Sequence, residues 1–430
     1  MDIIILGHNY APELIGIGPC TTGMAEALAG QGHRVRVICG QPSYPSWQVP
    51  ARYRRWRPRR TVENDVVVRR LPLYVPRDPR GVRRLLHHFS FAALAFVALV
   101  AALLVRRPDA IVAIAPSIAS TLVARVLARL ARRPLWLHVQ DFEVDMAAAT
   151  GQFRAEGRFV RAIERAGLTG DRASSISPRM CDRLVALGND PAHVVTFRNW
   201  ANPAVRPLTL PSRYREEWRI DRPHVALYAG SIAAKQGIGI VVEAARRLAA
   251  RDDLLFVICG EGTNRDALAA AAATCSNMLI HDLQPPERLP DLLGLATVHL
   301  LPQIAGAADL VLPSKLPNML ASGRPVLATT RVGTGLADEV EGCGIVVEPH
   351  DPAAFAAALA HLLDEPGLRA IYGQAAQERA STRWNKAAVL GDFERELRLL
   401  DLERRERRLA YRWARRWRSL VADPVGRLAD

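Results

Sequence analysis

The sequence predicts two doubly wound parallel α/β domains joined by a linker, and three observations carry that expectation. Apolar strand-like runs alternate with helical segments in both halves, which is the signature of parallel sheets. The alternation stops at a proline-rich stretch and then restarts. At 430 residues the chain exceeds what one ordinary core serves, so two cores are expected.

In the first half "DIIILG" reads as a buried strand, "TTGMAEALAGQGH" as a helix closed by glycine, and "RVRVICG" as the next strand. "AIVAIA" (Ala110–Ala115), a helix around Ser120–Leu130 and the strand "LWLHVQD" (Leu135–Asp141) continue the pattern. A further helix and "ASSIS" lead to "VVTFRNW". "ANPAVRPLTLP" (Ala201–Pro211) holds three prolines and reads as the linker. After it come "HVALYAGS", "LLFVICGEG", "MLIHDL", "TVHLLP", "PVLATT" and "GIVVEP", separated by helices. The expected domains are 1–200, a linker at 201–211, 212–385, and C-terminal helices with a basic amphipathic tail at 386–430. Ligands bind at the carboxyl ends of strands in open α/β sheets, so two Rossmann-like halves facing across a cleft can both contribute to one site.

A net charge of +14, carried mostly by arginine, calls for anionic partners: nucleic acid, phosphorylated small molecules or a membrane face. The six cysteines form no CxxC pair, which argues against a structural zinc and a disulfide framework and favours a reducing compartment. "MDIIILG" is too short an apolar run for a secretory signal, so a cytoplasmic location is expected. Two segments depart from a plain soluble enzyme. Phe89–Val105 is uncharged between basic flanks; a span, a membrane-surface helix and a buried helix are all open to it. In Leu402–Leu420, Leu402, Leu409, Trp413, Trp417 and Leu420 fall near one helical face among arginines. That reads as membrane-surface binding, or as a helix docked across the other domain with a solvated basic face.

Several loops at strand ends suit an anionic ligand. In "ELIGIGPCTTG", Gly16 and Gly18 permit close backbone approach and Thr21 or Thr22 suits a helix cap. "YAGSIAAKQG" turns at Gly230 and Ser231 and carries Lys235, and Gly260, Glu261 and Gly262 make another tight turn. Each is equally readable as a plain turn. "VLPSKLPNMLASGRPVLATT" predicts a short helix with Ser314 as N-cap, Lys315 as first helical residue, Pro317 in the first turn and Gly323 as the stop. A lysine at the positive helix end is tolerable if an anion shares the place, held by the N–H groups of Ser314, Lys315 and Leu316; otherwise it simply bends into solvent. "HVQDFEVD" ends a strand with His138, Asp141, Glu143 and Asp145. His138 reads as a satisfied core histidine, and Glu143 with Asp145 is too little for a metal site.

In combination, "YAGSIAAKQGI", "VICGEG", "LLPQIAGAADLVLPSKLPNMLASGRPVLAT" and "GCGIVVEPHDPAAFAAAL" resemble the nucleotide-sugar half of retaining GT-B glycosyltransferases of family 4. The N-terminal "HNYAPELIGIGPCTTG…SYPSWQV", with "LYVPRDP", "HVQDFEVD" and "FRNWAN", is similar to the colanic-acid type of that family. The similarity runs from residue 1 to about 385. It implies a GT-B fold, a nucleoside-diphosphate sugar held mainly by the C-terminal half, and an acceptor in the N-terminal half. It further implies that the Gly16–Gly18 loop lies near the reacting sugar and that Asp141 faces the cleft. Gly230, Ser231, Lys235, Ser314, Lys315 and Leu316 would surround the diphosphate, and Gly260, Glu261 and the backbone near Leu283 would flank the nucleoside. The family pattern has an arginine where Ser231 stands, and two glutamates where Leu310 (beside Asp309) and Asn318 stand.

The expected activity is retaining transfer of a hexosyl unit from a nucleotide sugar to a lipid-linked saccharide in exopolysaccharide assembly. No metal and no cofactor are expected, because lysines supply the countercharge, and nucleic acid is not among the expected partners. A lipid-linked acceptor at an anionic membrane surface accounts for the two unusual segments. The rivals are a GT-B nucleotide-sugar epimerase or phosphorylase-like enzyme, and a non-catalytic membrane-associated assembly protein with a degenerate donor site. A nicotinamide dehydrogenase fits less well: "GIGPCTTG" lacks the third glycine of the dinucleotide fingerprint, and no acid follows "RVRVICG".

Overall fold

The computed structural model describes residues 1–14, 16–79, 81–142, 158–232, 236–304 and 312–421. Two sheets organise the chain. The first is built from β1 (Asp2–Leu6), β2 (Arg34–Gly40), β3 (Arg59–Glu63), β4 (Val66–Leu71), β5 (Ala110–Ala115), β6 (Leu135–Val139), β7 (Arg172–Ser175) and β8 (Val194–Thr196). Their order is β3-β4-β2-β1-β5-β6-β7-β8, parallel except for the β3–β4 hairpin. Helices α1 (Gly18–Gly30), α2 (Gly81–Val105), α3 (Ile118–Ala131), α4 (Arg158–Gly167) and α5 (Pro178–Ala186) connect them. The central strands are buried on both faces, which is why they read as unbroken apolar runs such as Ile3–Leu6.

The second sheet runs β11-β10-β9-β12-β13-β14, all parallel. Its strands are β9 (His224–Ala229), β10 (Leu254–Cys259), β11 (Met278–His281), β12 (Val298–Leu301), β13 (Val326–Thr329) and β14 (Gly344–Val347). Beside them lie α6 (Tyr214–Glu217), α7 (Gly239–Arg247), α8 (Arg265–Ala272), α9 (Leu289–Gly294), α10 (Leu316–Ala321), α11 (Gly335–Val340), α12 (Pro352–Asp364) and α13 (Pro366–Arg383). Two parallel α/β sheets, as the sequence predicts, form the fold.

The carboxyl ends of the two sheets face each other. Ser177 caps α5 just after β7, and Thr334 caps α11 just after β13. A Cβ added at Gly335 would lie 3.7 Å from the Ser177 hydroxyl and 3.6 Å from the Arg179 side chain. Arg198, just past β8, pairs with the buried Glu339 of α11 at 2.8 Å, and Arg383 pairs with the same carboxylate at 3.3 Å.

Three sequence expectations change. The β3–β4 hairpin was not expected; it turns at Asn64 and Asp65, both with positive φ. Helix α2 begins eight residues before Phe89, and one face of it packs on the first sheet through Phe91, Ala95, Ala98 and Leu99. A helix that serves as a wall of its own sheet cannot also be a bilayer span. The last helix, α14 (Lys386–Val421), returns to the first sheet, where Leu390, Phe393, Leu397 and Leu400 join the core beside α1. His33 meets Glu394 at 3.0 Å, and Arg172 pairs with Glu396 and with Glu403, the latter at 2.8 Å. The first half of this helix is therefore a docked element; Leu409 and Trp413 further along are exposed.

Candidate functional site

On the second sheet the site starts from the register of β9 and β10. Ala229 is level with Cys259, so Gly230 and Gly260 leave their strands side by side. A Cβ on Gly260 would sit 1.8 Å from the Gly230 carbonyl oxygen, so no other residue fits there. The two loops are then tied together: Ile232 N–H donates to Glu261 O at 2.8 Å, and Asn264 N–H to Ile232 O at 3.1 Å. Gly260 thus packs loop against loop, while Glu261 and, beyond β11, Leu283 lie exposed at the rim.

Lys315 reaches across this rim from the start of α10. Its Nζ lies 3.8 Å from the centroid of the Tyr228 ring, and a Cβ on Gly230 would lie 3.5 Å from that nitrogen. Tyr228 also donates its hydroxyl to Ser231 O at 2.5 Å. One buried aromatic therefore fixes both the lysine and the turn beside it. The π face stabilises a cation without neutralising it. Lys235 lies outside the described residues, as do Glu143, Asp145, Asp309 and Leu310.

The helix start differs from the sequence expectation. Lys315 itself, not Ser314, occupies the N-cap position, and α10 begins at Leu316. Ser314 is exposed and makes no cap. The Leu316 N–H donates to Pro313 O at 3.0 Å, so it is not a spare donor for an anion, and its side chain is fully buried. Asn318 is also redirected: its Oδ1 accepts the Asn202 N–H at 2.7 Å and holds the linker. Gly323 does stop the helix, with φ +68 just past the C-cap Ser322.

On the first sheet the loops after β1, β2 and β6 converge. Glu13, almost fully buried, accepts the Ser43 and Tyr44 N–H groups at 2.9 and 3.0 Å and the Asn9 amide at 2.7 Å. Burial pushes its carboxyl up from the ordinary range, against these hydrogen bonds. A Cβ on Gly18 would come within 2.9 Å of Glu13, and one on Gly16 (φ +75) within 3.1 Å of the Tyr44 ring. The glycine pair is therefore required by packing against Glu13 and Tyr44. Tyr44 is raised by burial, and then by the nearby charges of Asp141 and Glu13, with Arg84 opposing. Asp141 thus faces the same loops as Gly16.

Behind Asp141 the strand is locked by a buried polar network. His138 Nδ1 meets Ser174 Oγ at 2.9 Å, and its Nε2 meets the Gln140 amide at 2.8 Å. Gln140 and Asn199 exchange two hydrogen bonds at 2.9 and 3.0 Å. Burial pushes the imidazole down to about 3, so it is neutral at physiological pH. This is the satisfied core histidine expected from the sequence. Beside Asp141's loops stands an unexpected aromatic group. His8 stacks on His87 with centroids 4.5 Å apart and packs on Phe91 at 4.2 Å, and Trp47 meets His87 at 5.1 Å.

Sequence reasoning missed Glu13, Tyr44, Tyr228 and this histidine cluster. The glutamate and Tyr228 sit inside quoted motifs, but their partners are far along the chain. Among the described residues, no group of three His, Cys, Asp or Glu is placed to hold a metal ion.

Against known proteins, residues 16–200 match the glycosyl transferase 4-like domain and residues 223–365 the glycosyl transferases group 1 domain. The chain is 38% identical over 416 residues to WcaI of Escherichia coli, a protein named for glycosyl transfer in colanic acid biosynthesis. That match covers 93% of this chain and 100% of WcaI. The fold resembles sucrose-phosphate synthase of Thermosynechococcus elongatus, with a TM-score of 0.72 at 18% identity over 93% of this chain and 98% of that one. It also resembles Anabaena HepE in complex with UDP-glucose, with a TM-score of 0.67 at 14% identity over 92% and 99% of the two chains. At those identities the two structures speak for the fold alone.

Proposed function

Because the chain belongs to the GT-B glycosyltransferases of family 4, we propose that it transfers a hexosyl unit, with retention, from a nucleoside-diphosphate sugar to a lipid-linked saccharide. The product would be an exopolysaccharide of the colanic-acid kind, as the name of the Escherichia coli relative suggests. The observation that carries this reading is the Lys315 ammonium held over Tyr228 at the carboxyl end of β9. Departure of a nucleoside diphosphate places negative charge on the leaving oxygen, and a preoriented cation there lowers the barrier.

Each side of the cleft has its part. Lys315, with Lys235 from the adjoining loop, would neutralise the diphosphate, and the Gly230–Ser231 turn would let it approach. The exposed rim at Glu261 and Leu283 would flank the nucleoside. Opposite, Asp141 would act on the transferring sugar or the acceptor hydroxyl, beside the Gly16–Gly18 loop. Retention would proceed by front-face displacement, as the family resemblance implies. The protein would work at the cytoplasmic face of the membrane as a peripheral protein, where a lipid-linked acceptor resides.

The diverted Asn318 favours one rival, a non-catalytic protein with a reduced donor site. A screen of radiolabelled nucleotide sugars with membrane-extracted lipid acceptors, alongside calorimetry of nucleoside diphosphates, separates the readings. Label appearing in lipid-linked saccharide supports transfer. Absence of both donor binding and transfer supports the rival, and release of a free epimer supports an epimerase.

A further inference from the structure

The outer face of α2 is apolar along its whole length. Its inward face packs on the first sheet, yet Val82, Leu86, Phe89, Phe96, Val97 and Leu104 are all exposed, Phe89 at 60% and Leu104 at 83%. Spacings of three, four and seven, with Phe96 and Val97 side by side, place them in one stripe of roughly six turns. Helix α3, packed beside α2 on the same sheet face, continues the patch with Val126 and Leu130, the latter 76% exposed. An ordinary surface helix shows the reverse arrangement, with polar residues outward. Contiguous exposed apolar surface of this extent marks an interaction face.

The surroundings identify the partner. Neither α2 nor α3 contains Asp or Glu, while Arg83, Arg107 and Arg129 lie exposed along their flanks. The edge hairpin adds to this side. Arg60 and Val62 stand opposite Arg69 and Val67 in the β3–β4 register, and Arg69 donates to the Ala98 carbonyl of α2. Just before β3, Trp56 is 98% exposed between Arg54, Arg55 and Arg57. The stripe offers hydrocarbon and no hydrogen-bonding groups to whatever covers it, and no carboxylate stands on either helix to pair with a basic partner. A bilayer with anionic headgroups needs none, and rewards flanking arginines and an interfacial tryptophan.

Orientation follows from the ends of α2. Near its start, His87 stacks on His8, and Ser90 Oγ accepts the Tyr74 N–H at 3.0 Å, at the carboxyl ends of β1 and β4. Past its other end, Arg106 pairs with Asp2 at 2.8 Å, at the start of β1. The stripe therefore runs from the far floor of the sheet to the mouth of the cleft. We propose that the α2–α3 face and the Trp56 hairpin together dock the protein on an anionic lipid bilayer, presenting the acceptor loops at Tyr44 and Trp47 to the membrane surface. This rests on the lipid-linked acceptor of the proposed function, and it assigns the membrane contact to this face rather than to the basic C-terminal tail.

The test is co-sedimentation of the full-length protein with vesicles of equal parts phosphatidylglycerol and phosphatidylethanolamine, beside vesicles of phosphatidylcholine alone. The intact protein should pellet with the anionic vesicles and far less with the neutral ones. Phe96→Ser with Val97→Ser should weaken binding at least about tenfold, since two large apolar side chains lose their lipid contact. Trp56→Ser should weaken it less. Leu104→Glu with Leu130→Glu, both at positions mostly in solvent, keeps the test valid if the first pair disturbs folding. All variants should keep the thermal melt and the nucleoside-diphosphate affinity of the parent. Vesicle binding by the intact protein that survives both paired substitutions but vanishes on removing residues 407–430 would overturn this face and leave the membrane reading standing. No binding by the intact protein would overturn both. A dimer that forms without vesicles and is broken by the same substitutions would show that a second copy, not lipid, covers the stripe.

Discussion

The ammonium of Lys315 lies 3.8 Å from the centroid of the Tyr228 ring, and this pairing explains how a cation is accommodated at the N-cap of α10, where a negative group is favoured. The ring holds the charge in place between Gly230 and the helix. Lys315→Ala should therefore lower nucleoside-diphosphate affinity or turnover at least tenfold, the loss of a charge-assisted contact of roughly 1.5–3 kcal/mol. Lys235→Ala should do the same if its ammonium shares the diphosphate. Tyr228→Leu should cost less, on the order of 0.5–2 kcal/mol, because the lysine stays but loses its support. Calorimetry with a nucleoside diphosphate reads all three, and unchanged affinity in the folded lysine variants would remove the diphosphate from this place.

Asp141 is predicted to act on the sugar or the acceptor and not on the nucleotide. Asp141→Asn keeps size and removes charge, so turnover should fall while nucleoside-diphosphate binding stays nearly unchanged. Steady-state kinetics beside calorimetry separates the two quantities. If both fall together, Asp141 holds structure instead.

Glu13 organises the loops after β1 and β2, where the proposed function puts the acceptor, by receiving three N–H donors from Asn9, Ser43 and Tyr44. Glu13→Gln keeps the shape but turns one oxygen into a donor that faces donors. The expected cost is about 1–3 kcal/mol of stability, together with a larger rise in acceptor KM than in donor KM. An equal change in both constants would place the effect elsewhere.

The central strands of both sheets were legible because strands buried on both faces are continuous apolar runs. The β3–β4 hairpin escaped notice because arginines at Arg59, Arg60, Arg69 and Arg70 obscure it. Its signal was the Asn64–Asp65 pair, a two-residue turn with positive φ at both positions. Lys315 was legible as an oddity of its helix, whereas Tyr228 and Glu13 acquire meaning only through contacts that folding creates. Leu316 and Asn318 looked available for a ligand because a sequence does not reveal that Pro313 and Asn202 already occupy them.

Two buried histidines predict how stability depends on pH. Burial holds His138 and His299 down to about 3, with Arg324 adding to the effect at His299. Unfolded, each binds its proton near the ordinary value of about 6.5. Between those values the unfolded chain carries more protons, so stability is complete above about pH 6.5 and declines as the pH falls through that window. Each histidine contributes about 1.4 kcal/mol per pH unit there. Melting temperatures from about pH 7 to about pH 5 should fall, and His299→Asn should flatten the slope while lowering the overall stability. An identical slope in that variant would show that other groups control the transition.

The last prediction separates the two halves of α14. Leu390, Phe393, Leu397 and Leu400 fill the core beside α1, Phe393 stacks on Phe197 at 4.4 Å, and Arg404 donates to the Asp109 carbonyl at 3.2 Å. Burying four such side chains is worth several kcal/mol, at roughly 1.5–3 kcal/mol each. A chain cut after residue 385 should thus expose the α1 face of the first sheet and lose stability or solubility, although the whole second sheet is intact. A chain cut after residue 406 retains Glu396, Glu403 and Arg404 with their partners, and should melt within a degree or two of the parent. Cutting at Leu402 would be misleading, since it removes Glu403 from Arg172 and Arg404 from Asp109. Thermal melts of the two truncations decide it: equal loss in both would mean that residues beyond 406 also hold the fold, and no loss in either would mean that the docked half does not.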